Sequence, residues 1–228
     1  MTITTTTLLR AAGVAAVLSG LIFIGVQINH PYLDATSITT TDVMTRNSLK
    51  MLMAALALAG ITGIYLRQVT KMGWLGLLGF VVFAAGYLSM FGTEFVAALV
   101  LPSIAHSSTA WVNDVIAAAT NRPATGDIGR MQIAILFTGI TYIGGGFLFA
   151  IALFRANVLA RWAAVLLALG TLATIAAGIV PQYERLFAFP TGFALVALGY
   201  SLWRDLRAPA AAPILNPVSS QLDAVGAK

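Results

Sequence analysis

Long apolar runs alternate with short polar segments along the whole chain. They cover residues 8–28, 50–67, 73–101, 131–154, 160–180 and 186–203. Each run is continuous and lacks the period-two alternation of a membrane β-strand. Hydrocarbon about 30 Å thick takes roughly 20 apolar residues of helix per crossing. The pattern therefore predicts an all-α fold, a polytopic bundle of about six transmembrane helices that forms one domain over residues 1–207.

The composition agrees with a membrane environment. Hydrophobic residues make up 59% of the 228 residues and charged residues only 9%, against about 25% charged residues in soluble domains. The net charge of +5 comes from basic residues that are scattered singly, so they form no patch for nucleic acid. We therefore predict a multi-pass protein of the cell membrane that contacts membrane lipids and no nucleic acid.

Metal and thiol chemistry are not expected. Cysteine is absent, which excludes disulfides and thiolate sites. The histidines are His30 and His106, and both fall at or beyond the ends of predicted spans. Because a bis-histidine haem needs ligands that face each other within the bundle, we predict no haem, no other metal site and no cofactor.

Basic residues are distributed unequally between the two sides of the predicted bundle. With the amino terminus inside, eight Lys and Arg residues fall on the cytoplasmic side and five on the outer side. The positive-inside rule then places both termini in the cytoplasm.

The segment 208–228 contains Pro209, Pro213 and Pro217 and is predicted to be a disordered cytoplasmic tail. No cleavage site followed by a soluble domain comes after the first run, so we interpret that run as a span.

The connections between the spans differ in length. The predicted cytoplasmic connections, 68–72 and 155–159, are short, so the spans that they join are expected to pack as antiparallel neighbours. The predicted outer connections, 29–49 and 102–130, are long and carry most of the polar residues. Long loops of this kind are often functional.

Two local patterns each allow two interpretations. Arg67 and Trp74 recur 88 residues later as Arg155 and Trp162. The repeat reflects either duplication or the preference of any interfacial hairpin for arginine and tryptophan. The triple glycine at 144–146 either permits close helix packing or loosens and bends its helix, at about 1 kcal/mol per glycine relative to alanine.

Glu94 is the one acid inside an apolar run. It lies deep in the span 73–101, and ionisable residues within spans face a bundle interior and mark functional sites by default. Counted from Lys71 at about 1.5 Å per residue, Glu94 lies roughly 35 Å along the helix, near the outer boundary of the hydrocarbon. The alternative is therefore an interfacial glutamate that contacts water or pairs with a cation.

An aromatic stripe leads to this carboxyl. Its residues, spaced 3, 4, 4 and 3 apart, are Phe80, Phe83, Tyr87, Phe91 and Glu94 itself. The spacing places all of them within about an 80° arc of one helix face. Such stripes are usually packed core or lipid contacts. With an acid at its end, the stripe is instead predicted to line the binding site of a lipophilic substrate, together with Tyr142 from a later span.

Polar residues at the level of Glu94 form the predicted surroundings of the site. They are Gln27, His30, Arg46, Lys50, Asp127 and Arg130. Asp42, Arg46 and Lys50 are spaced four apart and share one face if their helix begins near Asp42. Lys50 either contacts Glu94 or extends to the lipid headgroups. Loop anchoring and helix capping explain most of the others equally well.

The motifs that the sequence lacks exclude several classes of enzyme chemistry. It has no glycine-rich phosphate loop, no nucleophile elbow, no H-E-x-x-H motif and no aspartate-rich cluster for magnesium diphosphate. An enzyme of this composition would transfer a proton to an apolar substrate. A carboxyl removed from water favours its protonated form, and aromatic faces within about 6 Å stabilise a developing cation. A nearby Lys50 would have the opposite effect, because its positive charge favours the ionised form of Glu94.

In its small size, its hydropathy and its intramembrane Glu94, the sequence resembles the integral-membrane terpene cyclases. The resemblance implies a carboxylic acid that protonates an epoxide or a terminal alkene of a prenylated substrate, and a carbocation that cyclises against aromatic faces. It makes Glu94 the general acid, with Phe83, Tyr87 and Phe91 as the wall around it. The sequence departs from the better-known members in having six predicted spans instead of seven and no second carboxyl deep in the last helix. Whether Asp127 or Glu184 substitutes for that carboxyl is open.

We therefore predict a membrane-bound cyclase of a lipophilic prenyl substrate. The other functions considered are a small proton-coupled transporter of an amphiphile, with Glu94 and Lys50 as its coupled pair, and a non-catalytic membrane partner. The enzyme predicts an apolar, aromatic-lined cavity that is closed on one side and reached from lipid, with Glu94 in its wall. The transporter predicts a polar route that opens on both faces, and the partner predicts neither. The sequence leaves the substrate and the oligomeric state open.

Overall fold

A computed structural model describes residues 3–180 and 185–207, and these residues are helical with short connections and no strand. The helices are α1 Thr5–Gly25, α2 Thr41–Arg67, α3 Val69–Phe95, α4 Leu101–Ile104, α5 Thr109–Ala119, α6 Arg130–Ala156, α7 Arg161–Ile179 and α8 Phe189–Asp205. Short 3₁₀ turns at Ser37–Thr39 and Leu186–Ala188 precede α2 and α8. The predicted all-α class is confirmed.

Five helical stretches are long and apolar enough to cross a membrane. They are α1, α2, α6, the continuous stretch Val69–Ile104, and Leu186–Asp205. The fifth predicted span, 160–180, falls on α7, whose described apolar stretch, Arg161–Ala177, is shorter than 18 residues. The described helices thus support a membrane protein with five long candidate spans and a shorter sixth helix. The predicted tail 208–228 and Glu184 lie outside the described residues.

The long helices pack in a closed ring in chain order. Helix α1 packs against α2, α2 against α3, α3 against α6, α6 against α7, α7 against α8, and α8 returns to α1. The most extensive contacts are those of α3 with α6 and of α1 with α8. The predicted antiparallel pairs, α2 with α3 and α6 with α7, are therefore neighbours in the ring.

Small residues bring α1 and α8 into backbone contact. A Cβ atom added at Gly20 would lie 2.4 Å from the Gly192 carbonyl oxygen, and one added at Gly13 would lie 2.9 Å from that of Gly199. The glycines of each helix are seven residues apart and so lie on one face. In lipid, the hydrophobic effect does not drive helices together. Glycines of this kind instead let two helix backbones approach closely and associate by packing.

Helices α3 and α6 approach equally closely, and this contact explains the triple glycine. A Cβ atom at Gly145 would lie 2.3 Å from the Phe83 amide nitrogen, whereas one at Gly144 would meet nothing within 4 Å. Helix α6 runs without interruption from Arg130 to Ala156. Packing, rather than bending, is therefore the role of this glycine run.

The start of α1 and the end of α8 lie together, and we call this the terminal end of the bundle. The Arg10 guanidinium donates to the Leu206 carbonyl at 2.7 Å. Arg67, at the end of α2, forms an ion pair with Asp205 at 2.7 Å. These contacts connect α1, α2 and α8. The cytoplasmic placement of the terminal end stays a prediction.

The two long connections fold together into a cap over the opposite end of the bundle. The Ala35 amide donates to the Asn113 side-chain oxygen at 2.7 Å, and Arg122 donates to the Leu33 carbonyl at 2.8 Å. The buried apolar residues of the cap are Leu33, Ala35, Ile38, Val43, Leu101, Ala105, Val112, Val115, Ile116 and Ile128. The loops predicted to carry most of the polar residues thus also enclose an apolar core of their own, next to the end of α3.

Candidate functional site

Glu94 lies one residue before the end of α3, where the helix widens into a π-helical turn, Val96–Val100. The Leu101 amide bonds to the Val96 carbonyl, five residues back. In this register the next carbonyl, that of Ala97, would pair with residue 102, which is proline and has no N–H. π-Turns of this kind are frequent at functional sites.

Asn47 supplies the donor that Pro102 cannot. Its side chain is buried in α2, and the Nδ2 atom donates to the Ala97 carbonyl at 3.3 Å. The Oδ1 atom of Asn47 accepts a hydrogen bond from Lys50 Nζ at 3.4 Å. The amide therefore connects α2 to the π-turn and holds Lys50 on the same side of the bundle as Glu94.

Glu94 lines two adjoining cavities below the cap. The cap cavity, of about 150 Å³, lies between the cap and the end of the bundle. The bundle cavity, of about 370 Å³, extends between α1, α3, α6 and α7. Both are lined by Thr93, Glu94, Ala97, Ala119 and Ile135. The side chain of Glu94 is partly buried, and no hydrogen bond joins its carboxyl to another described residue.

The cap cavity places two cations beside the carboxyl. Lys50 and Arg185 line it together with Asn47, and both act electrostatically on Glu94. Arg185 also donates to the Gln27 side-chain oxygen at 3.3 Å. Lys50 therefore lines the same cavity as Glu94, whereas a contact between the two side chains stays a prediction.

The bundle cavity extends inward from Glu94 and is mainly apolar. Tyr142 lines its inner part, next to Gly86 of α3. Gly86 precedes Glu94 by eight residues, or about 12 Å of helix. The Tyr142 hydroxyl is buried and faces the hydroxyl of Thr191 at the start of α8. The cavity therefore has the acid Glu94 and the aromatic side chain of Tyr142 in its wall.

The aromatic stripe packs away from these cavities. The Phe80 ring stacks on Tyr65 with centroids 4.6 Å apart. Phe83 and Tyr87 are fully buried and contact Tyr142 at 5.6 and 5.8 Å between ring centroids. Neither cavity is lined by Phe80, Phe83, Tyr87 or Phe91. The stripe forms the packed core between α3 and α6, and of the predicted substrate-binding residues Tyr142 alone lines the bundle cavity.

The predicted polar surroundings are divided between the site and the fold. Gln27 lines the bundle cavity and Lys50 the cap cavity. Arg46 donates to the Val26 and Ile28 carbonyls at 3.1 and 3.0 Å and pairs with Asp42. It thereby satisfies carbonyls just beyond α1, where a helix end leaves such groups unpaired. Arg46 thus fixes the junction of α1 and α2 rather than lining a cavity.

Asp127 and Arg130 lie exposed at the start of α6. The Asp127 carboxylate accepts from the Gly129 amide at 2.7 Å, as a turn residue does. Neither residue lines the cap cavity or the bundle cavity. The possible substitution of Asp127 for a second intramembrane carboxyl therefore finds no support in its position.

His30 lies in the connection after α1. Its Nδ1 atom is 2.9 Å from the Pro31 carbonyl oxygen, and its Nε2 atom is buried without a partner among the described residues. Burial, aided by the positive charge of Lys50, lowers the pKa of His30 to about 4. His30 is therefore neutral at neutral pH. It lines neither the cap cavity nor the bundle cavity.

Sequence reasoning missed Asn47, the π-turn and the polar wall residue Thr138. The only signal for the π-turn was a proline eight residues after Glu94. Thr138 hydrogen-bonds Ser89 at 2.6 Å across α3 and α6, and it also lines the bundle cavity. Within the described ranges, no group of three or more His, Asp or Glu residues is arranged to hold a metal ion.

Comparisons of the whole chain with models of protein families, with curated proteins and with solved structures gave no match.

Proposed function

We propose that the chain is an enzyme of the cell membrane that takes a lipophilic prenyl substrate into the bundle cavity and starts its cyclisation with a proton from Glu94. The observation that carries this proposal is the position of one carboxyl, without a hydrogen bond to any described residue, in the wall of a mainly apolar cavity. A lone acid in such surroundings is suited to donate a proton, because burial favours its neutral form.

The shape of the cavity fits a substrate that is converted and released on one side. Beyond Tyr142 the bundle is filled by a continuous apolar core that includes Phe83, Phe149 and Leu153. A transporter needs a route that opens alternately on both faces. Among the described residues, the packed core separates the cavity from the terminal end.

The proposed reaction is an isomerisation. The Glu94 proton moves to an epoxide oxygen, the adjacent carbon–oxygen bond breaks, and an alkene of the same molecule attacks the carbon that becomes electron-deficient. Loss of a proton from the cyclised cation, to the carboxylate or to water, completes the balance. Phe23 and Tyr142 are the aromatic residues in the wall of the bundle cavity, so they, rather than the stripe, would face the cation.

A second function is favoured by the charges beside Glu94. Lys50 and Arg185 oppose a protonated carboxyl, and charges of both signs at one end of an apolar cavity suit the head of an amphiphile. The chain would then bind such a molecule without converting it. The cations are the specific observation behind this alternative.

A turnover assay distinguishes the two functions. The full chain in lipid vesicles is incubated with a prenylated phenol that carries a terminal epoxide, and products are identified by mass spectrometry after chromatography. Wild type should yield a cyclised isomer, and Glu94→Gln should lose at least about 10²-fold in rate, the usual contribution of general acid catalysis. Asp127→Asn, which neutralises an exposed carboxylate outside both cavities, is the matched control. Equal rates for the two variants would refute the enzyme, and saturable binding without any product would support the second function.

A further inference from the structure

A basic groove lies at the terminal end, between the turn joining α6 to α7 and the last turn of α8. It has a volume of about 860 Å³. Its lining residues are Asn157, Val158, Leu159, Ala160, Arg161, Trp162, Ser201, Arg204, Asp205 and Arg207. Arg161, Arg204 and Arg207 are exposed. The acid in the groove, Asp205, pairs with Arg67 at 2.7 Å, so the arginines dominate its charge.

The start of α7 adds to this positive character. Its N-cap residue is Ala160, which provides no side-chain acceptor for the first amides of the helix. Ser201 Oγ accepts from the Ala160 amide at 3.1 Å, and Ala160, Arg161 and Trp162 line the groove at this helix start. An uncapped helix start favours an anion through its amides and its dipole, here in addition to the arginines.

An apolar groove lies along α6 and α7, and the contact of Arg161 with Phe154 places it beside the basic groove. It has a volume of about 240 Å³. It is lined by Phe147, Ala150, Ile151, Phe154, Ala164, Val165, Ala168, Leu169 and Leu172, without a polar side chain. The Arg161 guanidinium lies 4.0 Å above the centre of the Phe154 ring and so joins the two grooves. Trp162, beside it, is 63% exposed, as expected for a residue at the level of lipid headgroups.

We propose that the two grooves form one binding site for an anionic phospholipid. The phosphate lies in the basic groove against Arg161 and Arg204, and one acyl chain lies in the apolar groove between α6 and α7. Charge complementarity selects the headgroup, since basic pockets between transmembrane helices bind anionic lipids. The site is separate from the Glu94 cavities and does not depend on the proposed reaction.

Ordinary interfacial anchoring also places arginine and tryptophan near headgroups, but it makes a different prediction. Anchoring residues act independently and require no groove. The proposed site instead couples the headgroup to the chain, because Arg161 belongs to the basic groove and stacks on a wall residue of the apolar one. Filling the apolar groove should therefore weaken binding of a lipid whose headgroup contacts are unchanged.

Lipid binding to the purified full chain tests the proposal. The chain in detergent is titrated with phosphatidylglycerol or with phosphatidylcholine of identical chains, and bound lipid is counted by native mass spectrometry. Wild type should prefer phosphatidylglycerol. Arg161→Gln and Arg204→Gln should each weaken the binding of phosphatidylglycerol by about fivefold. Arg130→Gln, which removes an exposed arginine at the opposite end of α6, is the matched control and should leave the preference unchanged.

Two further measurements separate a lipid site from a simple anion site. Ala168→Leu fills the apolar groove and should weaken phosphatidylglycerol while all three arginines remain, and circular dichroism verifies its helical fold. Inorganic phosphate should compete only weakly. Equal retention of the two lipids, arginine variants indistinguishable from Arg130→Gln, or full displacement by inorganic phosphate would each overturn the proposal.

Discussion

The side-chain amide of Asn47 donates to the carbonyl oxygen of Ala97 at 3.3 Å and so joins α2 to the π-turn that follows Glu94. The contact compensates for Pro102, which cannot provide the helical donor for that carbonyl. It also places Asn47 Oδ1 beside Lys50. One buried amide thus sets both the backbone that carries Glu94 and the position of the neighbouring cation.

Asn47→Leu should therefore destabilise the protein. The substitution leaves the Ala97 carbonyl without its side-chain donor, at a cost of about 1–3 kcal/mol for a buried unsatisfied group. Thermal unfolding in detergent measures the loss. Ser48→Ala is the control, because the exposed Ser48 hydroxyl donates to the Met44 carbonyl of its own helix and makes no contact with the π-turn among the described residues. An unchanged melting temperature for Asn47→Leu would contradict the assigned role.

Alanine substitutions at two adjacent glycines of α6 should change the stability of the protein in opposite directions. Gly145→Ala places a methyl 2.3 Å from the Phe83 amide nitrogen, in backbone that cannot give way like a side chain. We expect a loss of about 1–3 kcal/mol, the usual cost of overpacking. Gly144→Ala meets nothing within 4 Å and should stabilise the helix by up to about 1 kcal/mol. Comparable melting temperatures for the two variants would show that the close contact of α3 and α6 is absent.

The helical class follows directly from the sequence, whereas the cap does not. In lipid, the backbone N–H and C=O groups must form hydrogen bonds within the protein. For continuous apolar runs of this length, the α-helix is the structure that satisfies this requirement. The cap depends on contacts between residues far apart in sequence, such as Asn113 with Ala35. Neither of those residues is unusual in its local segment, so no periodicity could pair them.

The site was predictable only in part, for a similar reason. Glu94 stands out because a lone acid in an apolar run is costly. Helical spacing correctly places Phe83 and Tyr87 on one face of α3, but it does not say what that face meets. Gly145 lets α6 approach so closely that the face becomes packed core. The cavities form instead nearer the cap, beside the end of α3 and the first residues of the π-turn.

Acid should destabilise the protein through His30. Its pKa in the folded state is about 4, against 6.5 for the free side chain. Between these values the unfolded chain binds the additional proton, so stability falls as the pH drops from 6.5 towards 4. His30→Gln should flatten this part of the profile of melting temperature against pH, with His106→Gln as the matched single-histidine control. An identical slope in wild type and His30→Gln would rule out this contribution.

A side chain added to the bundle cavity should block binding without disturbing the fold. Gly139 lines this cavity, and a Cβ atom there meets nothing within 4 Å. Gly139→Leu should reduce binding of the prenyl epoxide by at least about tenfold, since a filled cavity excludes the ligand. The control is Gly144→Leu, an equally open position of the same helix that lines neither cavity. If both variants bind the epoxide like wild type, the ligand does not occupy the bundle cavity.

The most direct test of the Glu94 site uses dicyclohexylcarbodiimide, an apolar reagent that adds to protonated carboxyls and leaves a stable acylurea. The chain is treated in vesicles and the modified residue is located by mass spectrometry of peptides, with a water-soluble carbodiimide in parallel. We predict modification of Glu94 by the apolar reagent, slowed by the prenyl epoxide, and little by the soluble one. Faster modification of Glu94 by the soluble reagent, or labelling of exposed Asp127 alone, would show that no acid is available to a lipophilic molecule in the bundle.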